Sequence, residues 1–284
     1  MSNWKHGGMV DRLNRDLSLG ARPVVSMISR VLRTPVKRVL RAAGWELRRY
    51  RPRQPAPPLE AKPDDLTFLD GVLTSLLAHV DPPLTICQVG AFDGVAGDPI
   101  HDFLLRHKER TRALLIEPQP APFDRCVHNY GAHPDAHFVN AAVGPPGQSE
   151  LTLYLTPSAG QQGSSGVSAN REHRIRMNAW RMGVPEEEAA LQIRTIKVPS
   201  YPLRDLLKSS AFGDRVHVLQ VDCEGFDDEV LYASSVPELL PWVINYESVH
   251  LTKDRAEKLQ AWLHGLGYEL TRWNERDTCA LLRR

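Results

Sequence analysis

The chain has 284 residues, 42% hydrophobic and 24% charged, a composition that suits a globular protein with a real core: one domain with an appendage, or two small domains. No run approaches the length of a membrane span, and the four scattered cysteines form no CxxC or Cys/His cluster, which argues against a zinc site. The formal net charge of +1 hides an asymmetry, because residues 1–53 carry thirteen Lys/Arg against three acids and the remainder carries twenty-two against thirty-one.

The basic arm, residues 1–53, comes first. Val24, Val25, Ile28, Val31 and Leu32 recur at helical spacing, and Val36, Val39, Leu40, Ala43 and Leu47 repeat the pattern after Pro35, which should kink or split the helix. An Arg-rich amphipathic helix over residues 22–49 fits an anionic membrane surface, and it fits a helix packed on the body equally well. No recognised nucleic-acid module accompanies the charge, so no nucleic-acid partner is expected. Residues 54–65 are proline-rich and without periodicity, as in an extended linker. No signal-peptide pattern is expected, and the isolated thiols suit a reducing cytoplasm, with attachment to the inner face of the membrane as the membrane reading of the arm.

The body, residues 66–284, alternates. A helix is predicted over 66–79, then a strand at 84–89. A helix near 99–107, a strand at 113–116, a helix over 121–129 and a strand at 136–140 follow. "SELTLYLT" reads as a further strand. A Gly/Ser-rich loop and a charged helix near 171–181 come next. Strands return at "IKVPSY", "VHVLQVD" and "WVINYES". A helix over 253–266 and a final strand pair, "YELTRW" and "TCALLRR", close the chain. Such alternation predicts an α/β fold: a doubly wound, mostly parallel sheet with a C-terminal antiparallel hairpin.

Ligands of open parallel sheets bind at the carboxyl ends of the strands. The first strand opens through "ICQVGAFDG" into Gly90, Ala91, Asp93 and Gly94. The GxxxGxxG spacing of Gly90, Gly94 and Gly97 matches neither the dinucleotide fingerprint nor the P-loop, and by itself is a structural glycine turn. Glu117 ends the second strand, 27 residues past Gly90, where nucleotide folds place a ribose-binding acid. The third strand ends at Asn140 and Ala141. "VHVLQVD" exits into Asp222-Cys223-Glu224-Gly225, and "WVINYES" ends at Glu247 with His250 three residues on. An acid buried beside a like charge has a raised pKa and can accept a proton near neutrality. The Gly/Ser stretch "SAGQQGSSGVSANREH" suits a lid or acceptor-recognition loop, in which Ser168, Arg171 and His173 would hydrogen-bond a polyhydroxylated substrate.

Together, "CQVGAFDGVAGDP", "LLIEPQP", "VNAAVG", "LQVDCEGFDDEVL" and "INYESVHL" resemble, in order and spacing, the FkbM family of S-adenosylmethionine-dependent methyltransferases. The resemblance spans about residues 84–251 and excludes the arm. It implies a class I methyltransferase (Rossmann-like) fold, S-adenosyl-L-methionine as cofactor, and O-methylation of a small-molecule or glycan acceptor, typically a sugar or natural-product hydroxyl. By the same resemblance, the Gly90–Gly94 turn would hold the methionine part of the cofactor and Glu117 its ribose. Asn140 and Ala141 would border the adenine, and Asp222, Glu224 and Glu247 would face the acceptor. Gln88 departs from the acid that many class I members carry in this strand; an amide there still accepts one hydrogen bond, and Asp93 could supply charge. Asp222 or Glu224 is the expected base, with His250 next, unless the carboxylates instead bind a divalent ion. A nucleotide-dependent oxidoreductase and a non-catalytic membrane- or partner-binding module are the rival readings.

Overall fold

The computed structural model describes residues 68–156, 167–210 and 212–283. The basic arm, the linker and most of the Gly/Ser stretch lie outside them. In chain order the elements are α1 (Phe68–His79), β1 (Leu84–Val89), α2 (His101–Arg106), β2 (Thr111–Ile116), α3 (Pro120–Asn129), β3 (Ala136–Val139), β4 (Ala142–Val143), β5 (Glu150–Leu155) and β6 (Val167–Ser168). Then come α4 (Arg171–Met182), α5 (Glu186–Ala190), β7 (Arg194–Tyr201), α6 (Leu203–Ser209), β8 (Val218–Val221), α7 (Asp227–Ala233), α8 (Val236–Leu239), β9 (Val243–Glu247), α9 (Lys253–Gly265), β10 (Tyr268–Arg272) and β11 (Asp277–Leu282).

Seven strands form one sheet in the order β10-β11-β9-β8-β1-β2-β3. The run from β3 to β9 is parallel, and β11 lies antiparallel between β9 and β10. Counted along the chain, the parallel strands take the 3-2-1-4-5 order of doubly wound folds, so the order reverses between β1 and β8 and a crevice opens at their carboxyl ends. This is the α/β, doubly wound, mostly parallel arrangement that the sequence predicts, including the C-terminal antiparallel hairpin.

The apolar runs explain the layering. Every residue of β1 is buried, as is usual for a strand covered on both faces. Successive side chains point to opposite faces, and the strands divide accordingly. Leu84, Ile86, Ala113, Leu115, Val218 and Val243 pack with α1 and α2 in one core. Cys87, Val89, Leu114, Ile116, Leu219, Val221 and Ile244 pack with α6, α7 and α9 in the other.

β5 and β7 depart from this pattern. Their burial alternates or is partial, and they form a separate four-stranded sheet of order β4-β7-β5-β6. With one face wetted, neither suits the centre of a doubly covered sheet. This small sheet carries β6, and so Ser168, to the mouth of the crevice.

A row of buried amides crosses the main sheet. Gln88 is in register with Gln220, and Gln220 with Asn245. Asn245 Nδ2 donates to Gln220 Oε1 at 2.8 Å, and Trp273 Nε1 donates to Asn245 Oδ1 at 2.8 Å. Among the described residues, no helix is long and apolar enough to cross a membrane.

Candidate active site

The β1 and β8 exits meet at Gly90. Its φ is +82°, and a Cβ there would lie 1.9 Å from the Asp222 carbonyl oxygen. Only glycine tolerates both the torsion and the approach. The amides of Gly90 and Ala91 both donate to the Ile116 carbonyl, at 2.9 and 3.1 Å, so this turn locks β1 to its neighbours on either side. Glu117 completes the lock from β2. Its Oε2 accepts from the Phe92 amide at 2.9 Å, and its Oε1 accepts from the Gln119 amide at 2.8 Å. Burial pushes the Glu117 carboxyl up to about 7.

Gln88 opens onto the same crevice. It hydrogen-bonds Asp98, while its Oε1 is buried and unpartnered. Asp98 Oδ1 also accepts from the amides of Ile100 and His101, and its Oδ2 accepts from the Tyr130 hydroxyl. An amide oxygen aligned beside an anchored carboxylate suits the amino end of an amino-acid-bearing ligand.

Across the crevice, the β8 exit makes a sharp turn. Glu224 has φ +50° and Gly225 φ +85°. Left-handed backbone is costly for a glutamate, and it persists only where the surroundings hold it. Three groups do so. The Ser168 hydroxyl donates to the Glu224 carbonyl at 2.8 Å, and the Arg255 guanidinium donates to the Gly225 carbonyl at 3.0 Å. Asp227, fully buried, accepts from the amides of Cys223 and Gly225, both at 3.2 Å. Replacing Asp227 with alanine leaves those amides without an acceptor. Urea unfolding is expected to show a loss of about 1–3 kcal/mol, and an unchanged midpoint would show that the turn holds without it.

The turn delivers its acids to a cavity of about 420 Å³ that also takes in Gln88, Glu117, Ser168, Asp222, Glu224 and Arg276, a size usual for small-molecule sites, which run to roughly 300–1,000 Å³. Burial and the neighbouring Glu224 charge push Asp222 up to about 7, and Arg276 opposes them. Behind it, burial and the charges of Asp222 and Glu224 push Glu247 up to about 8, although Arg276 pairs with Glu247 Oε1. The His250 Nε2 lies 3.6 Å from Glu224 and 3.7 Å from Glu247. Burial lowers the pKa of His250 and takes that of His173 down to about 4. Residues 88–270 match the family model described as the methyltransferase FkbM domain. The chain belongs to the FkbM methyltransferase family.

Three solved structures are similar to this FkbM chain. The FkbM methyltransferase of Methylobacillus flagellatus KT is 13% identical with a TM-score of 0.42; the match covers 70% of this chain and 43% of that one. The precorrin-6y methyltransferase of Geobacter metallireducens is 12% identical with a TM-score of 0.39, covering 75% and 88%. The cofactor-bound Rv0187 of MTB is 13% identical with a TM-score of 0.42, covering 97% and 96%. This chain therefore spans under half the length of the Methylobacillus protein. Among curated proteins it has no match.

Within the FkbM domain, the crevice gathers Gln88, Gly90, Ala91, Glu117, Ser168, Asp222 and Glu224. Other residues singled out in the sequence lie elsewhere. Asp93 turns its Oδ1 onto the amides of Val95 and Ala96, closing its own loop. Gly94 packs against Tyr130, leaving room for no side chain. Asn140 donates from Nδ2 to the Glu117 carbonyl, and Ala141 is buried in the core; the next two residues, Ala142 and Val143, line the crevice instead. Arg171 is exposed at the start of α4, while His173, two residues on, is buried. Glu247 and His250 stand behind Glu224 rather than on the cavity wall. Asp98, Asp227 and Arg276 are additions that the structure makes.

Proposed function

We propose that this FkbM chain transfers a methyl group from S-adenosyl-L-methionine to a hydroxyl of a sugar, glycan or natural-product acceptor. The observation that carries the reading is that Gln88, Glu117 and the raised-pKa carboxyl of Asp222 line one cavity. The residues present fit the cofactor. The buried, unpartnered Gln88 Oε1 can accept from its ammonium, and Glu117 keeps lone pairs for ribose hydroxyls beyond its bonds to Phe92 and Gln119. When bound, the cofactor supplies an electrophilic methyl group.

The chain's own contribution is position and proton acceptance. Orientation of the acceptor oxygen lowers a barrier by roughly 7–11 kcal/mol in favourable cases. Asp222, poised near neutrality, takes the hydroxyl proton as the oxygen forms its new bond, an effect worth on the order of 10²–10⁴-fold. Ser168 and Arg276 line the same cavity; Arg276 offers a guanidinium, and Ser168, whose proton is held by the Glu224 carbonyl, offers a remaining lone pair to a polyhydroxylated acceptor.

Calorimetric titration with S-adenosylhomocysteine tests the reading. The native chain should bind one equivalent, and Glu117→Gln should bind about tenfold more weakly, the loss of a charge-assisted hydrogen bond. Stabilisation by NADH with indifference to S-adenosylhomocysteine would replace this reading with an oxidoreductase.

A further inference from the structure

Beside the cavity, where Glu224 lines it, three side chains converge from separate elements. His173 comes from the first turn of α4, where its amide is held by the Asn170 cap at 2.9 Å. Glu224 comes from the left-handed turn after β8, and His250 from the loop after β9. One ligand atom of each lies within 4.8 Å of the other two. Gly225 makes the convergence possible. A Cβ there would stand 3.2 Å from the His250 side chain and 3.3 Å from the His173 ring. The two imidazoles pack with centroids 4.6 Å apart and planes tilted by 59°.

These groups face one another at distances longer than hydrogen bonds. His250 Nε2 is 3.6 Å from the Glu224 carboxylate and 3.7 Å from that of Glu247. His173, 4% exposed, has its Nε2 buried and unpartnered, as is Glu247 Oε2. Buried polar groups of this kind call for a partner. Asp222, Glu224 and Glu247 bring three carboxylates beside the site, and the guanidiniums of Arg174, Arg255 and Arg276 offset part of that charge.

We propose that His173, Glu224 and His250 form a binding site for a divalent first-row transition-metal ion. Two imidazoles and one carboxylate are the donor set of such ions, whereas magnesium and calcium select oxygen. Bonds of about 2.0–2.2 Å place donors roughly 3–3.5 Å apart, so the site closes on an ion by side-chain shifts of about an ångström. Three protein ligands leave open coordination positions. Glu224 also lines the cavity, which puts the ion at the cavity's edge, where it can polarise the acceptor hydroxyl as a Lewis acid. That role rests on the methyl-transfer reading; the binding itself does not.

The test uses the full chain, stripped with chelator and titrated with Co(II). One equivalent should bind with visible d–d absorption from mixed nitrogen and oxygen ligation. Zn(II) should displace it, and millimolar Mg(II) should not. His173→Ala and Glu224→Gln should each weaken Co(II) binding by more than the roughly 10–100-fold that loss of a ligand's outer-shell partner costs, with thermal melts confirming that both fold. Glu224→Gln keeps the side chain's shape and covers the case in which His173→Ala does not fold. His79→Asn, on distant α1, should bind as the native chain does. Absence of stoichiometric Co(II) binding, or binding unmoved by both substitutions, would overturn the proposal. S-adenosylhomocysteine titration of the same samples separates the two readings. Cofactor binding without Co(II) binding removes the metal site alone, and the reverse removes methyl transfer alone.

Discussion

Alanine at position 90 is expected to dismantle the crevice. Two penalties coincide there. The backbone has φ +82°, and the added Cβ would fall 1.9 Å from the Asp222 carbonyl oxygen. A backbone oxygen cannot swing aside as a flexible side chain can, so β1 and β8 must part. That movement pulls the Gly90 and Ala91 amides from the Ile116 carbonyl and shifts Asp222 itself. Strain and overpacking cost about 1–3 kcal/mol each, so unfolding in urea should show a loss of about 2–6 kcal/mol. Binding of S-adenosylhomocysteine should disappear with it. Gly97→Ala provides the comparison. Gly97 has φ +74° but nothing within 4 Å of the added Cβ, so only the torsional cost remains, about 1–2 kcal/mol. If the two variants were equally stable, the close approach at Gly90 would carry no weight.

That contact also shows how far the sequence could be read. The parallel strands were legible because a strand covered on both faces must be apolar throughout, as β1 is. Glycine at the β1 exit was legible as a turn, but its reason was not. The Asp222 carbonyl, more than a hundred residues away in the chain, arrives only through the pairing of β1 with β8. Gln88 is a similar case. In sequence it reads as a departure from an acid; in the sheet it stands in register with Gln220 and Asn245, and Asp98 supplies the carboxylate from the loop that follows. Arg276 escaped notice because the last strand returns between β9 and β10, so a hairpin turn near the C-terminus reaches the parallel strands' carboxyl ends. There the Arg276 carbonyl accepts from the amides of Ser248 and Val249 at 2.7 and 3.0 Å. Arg171 and His173 were indistinguishable as polar residues after a loop. Helical rotation past the Asn170 cap turns one outward and the other into the core.

Asp222→Asn is expected to move activity and stability in opposite directions. Burial and Glu224 raise the Asp222 pKa to about 7, above the value of about 3.9 for an unfolded chain. The folded state therefore holds a proton that the unfolded state has released. Stability from this group is present below the unfolded pKa and is lost as pH rises through the folded one, across about pH 4 to 7. Above pH 7 the ionised carboxylate is a buried charge beside a like charge. Asparagine removes it, so the variant should melt higher than the native chain at pH 8, by about 2–4 °C for each kcal/mol recovered. Near pH 4 that advantage should vanish. Methyl transfer should fall by on the order of 10²–10⁴-fold, with S-adenosylhomocysteine affinity retained. In the native chain, kcat/KM should climb with pH through about 7, and the variant's residual activity should lack that limb. Arg276 supplies an independent handle on the same proton. Its charge lowers the Asp222 pKa, so Arg276→Gln should carry the limb to higher pH. A limb that stays in place in Arg276→Gln, or survives in Asp222→Asn, would assign the proton to another group, with Glu224 and His250 next to be substituted.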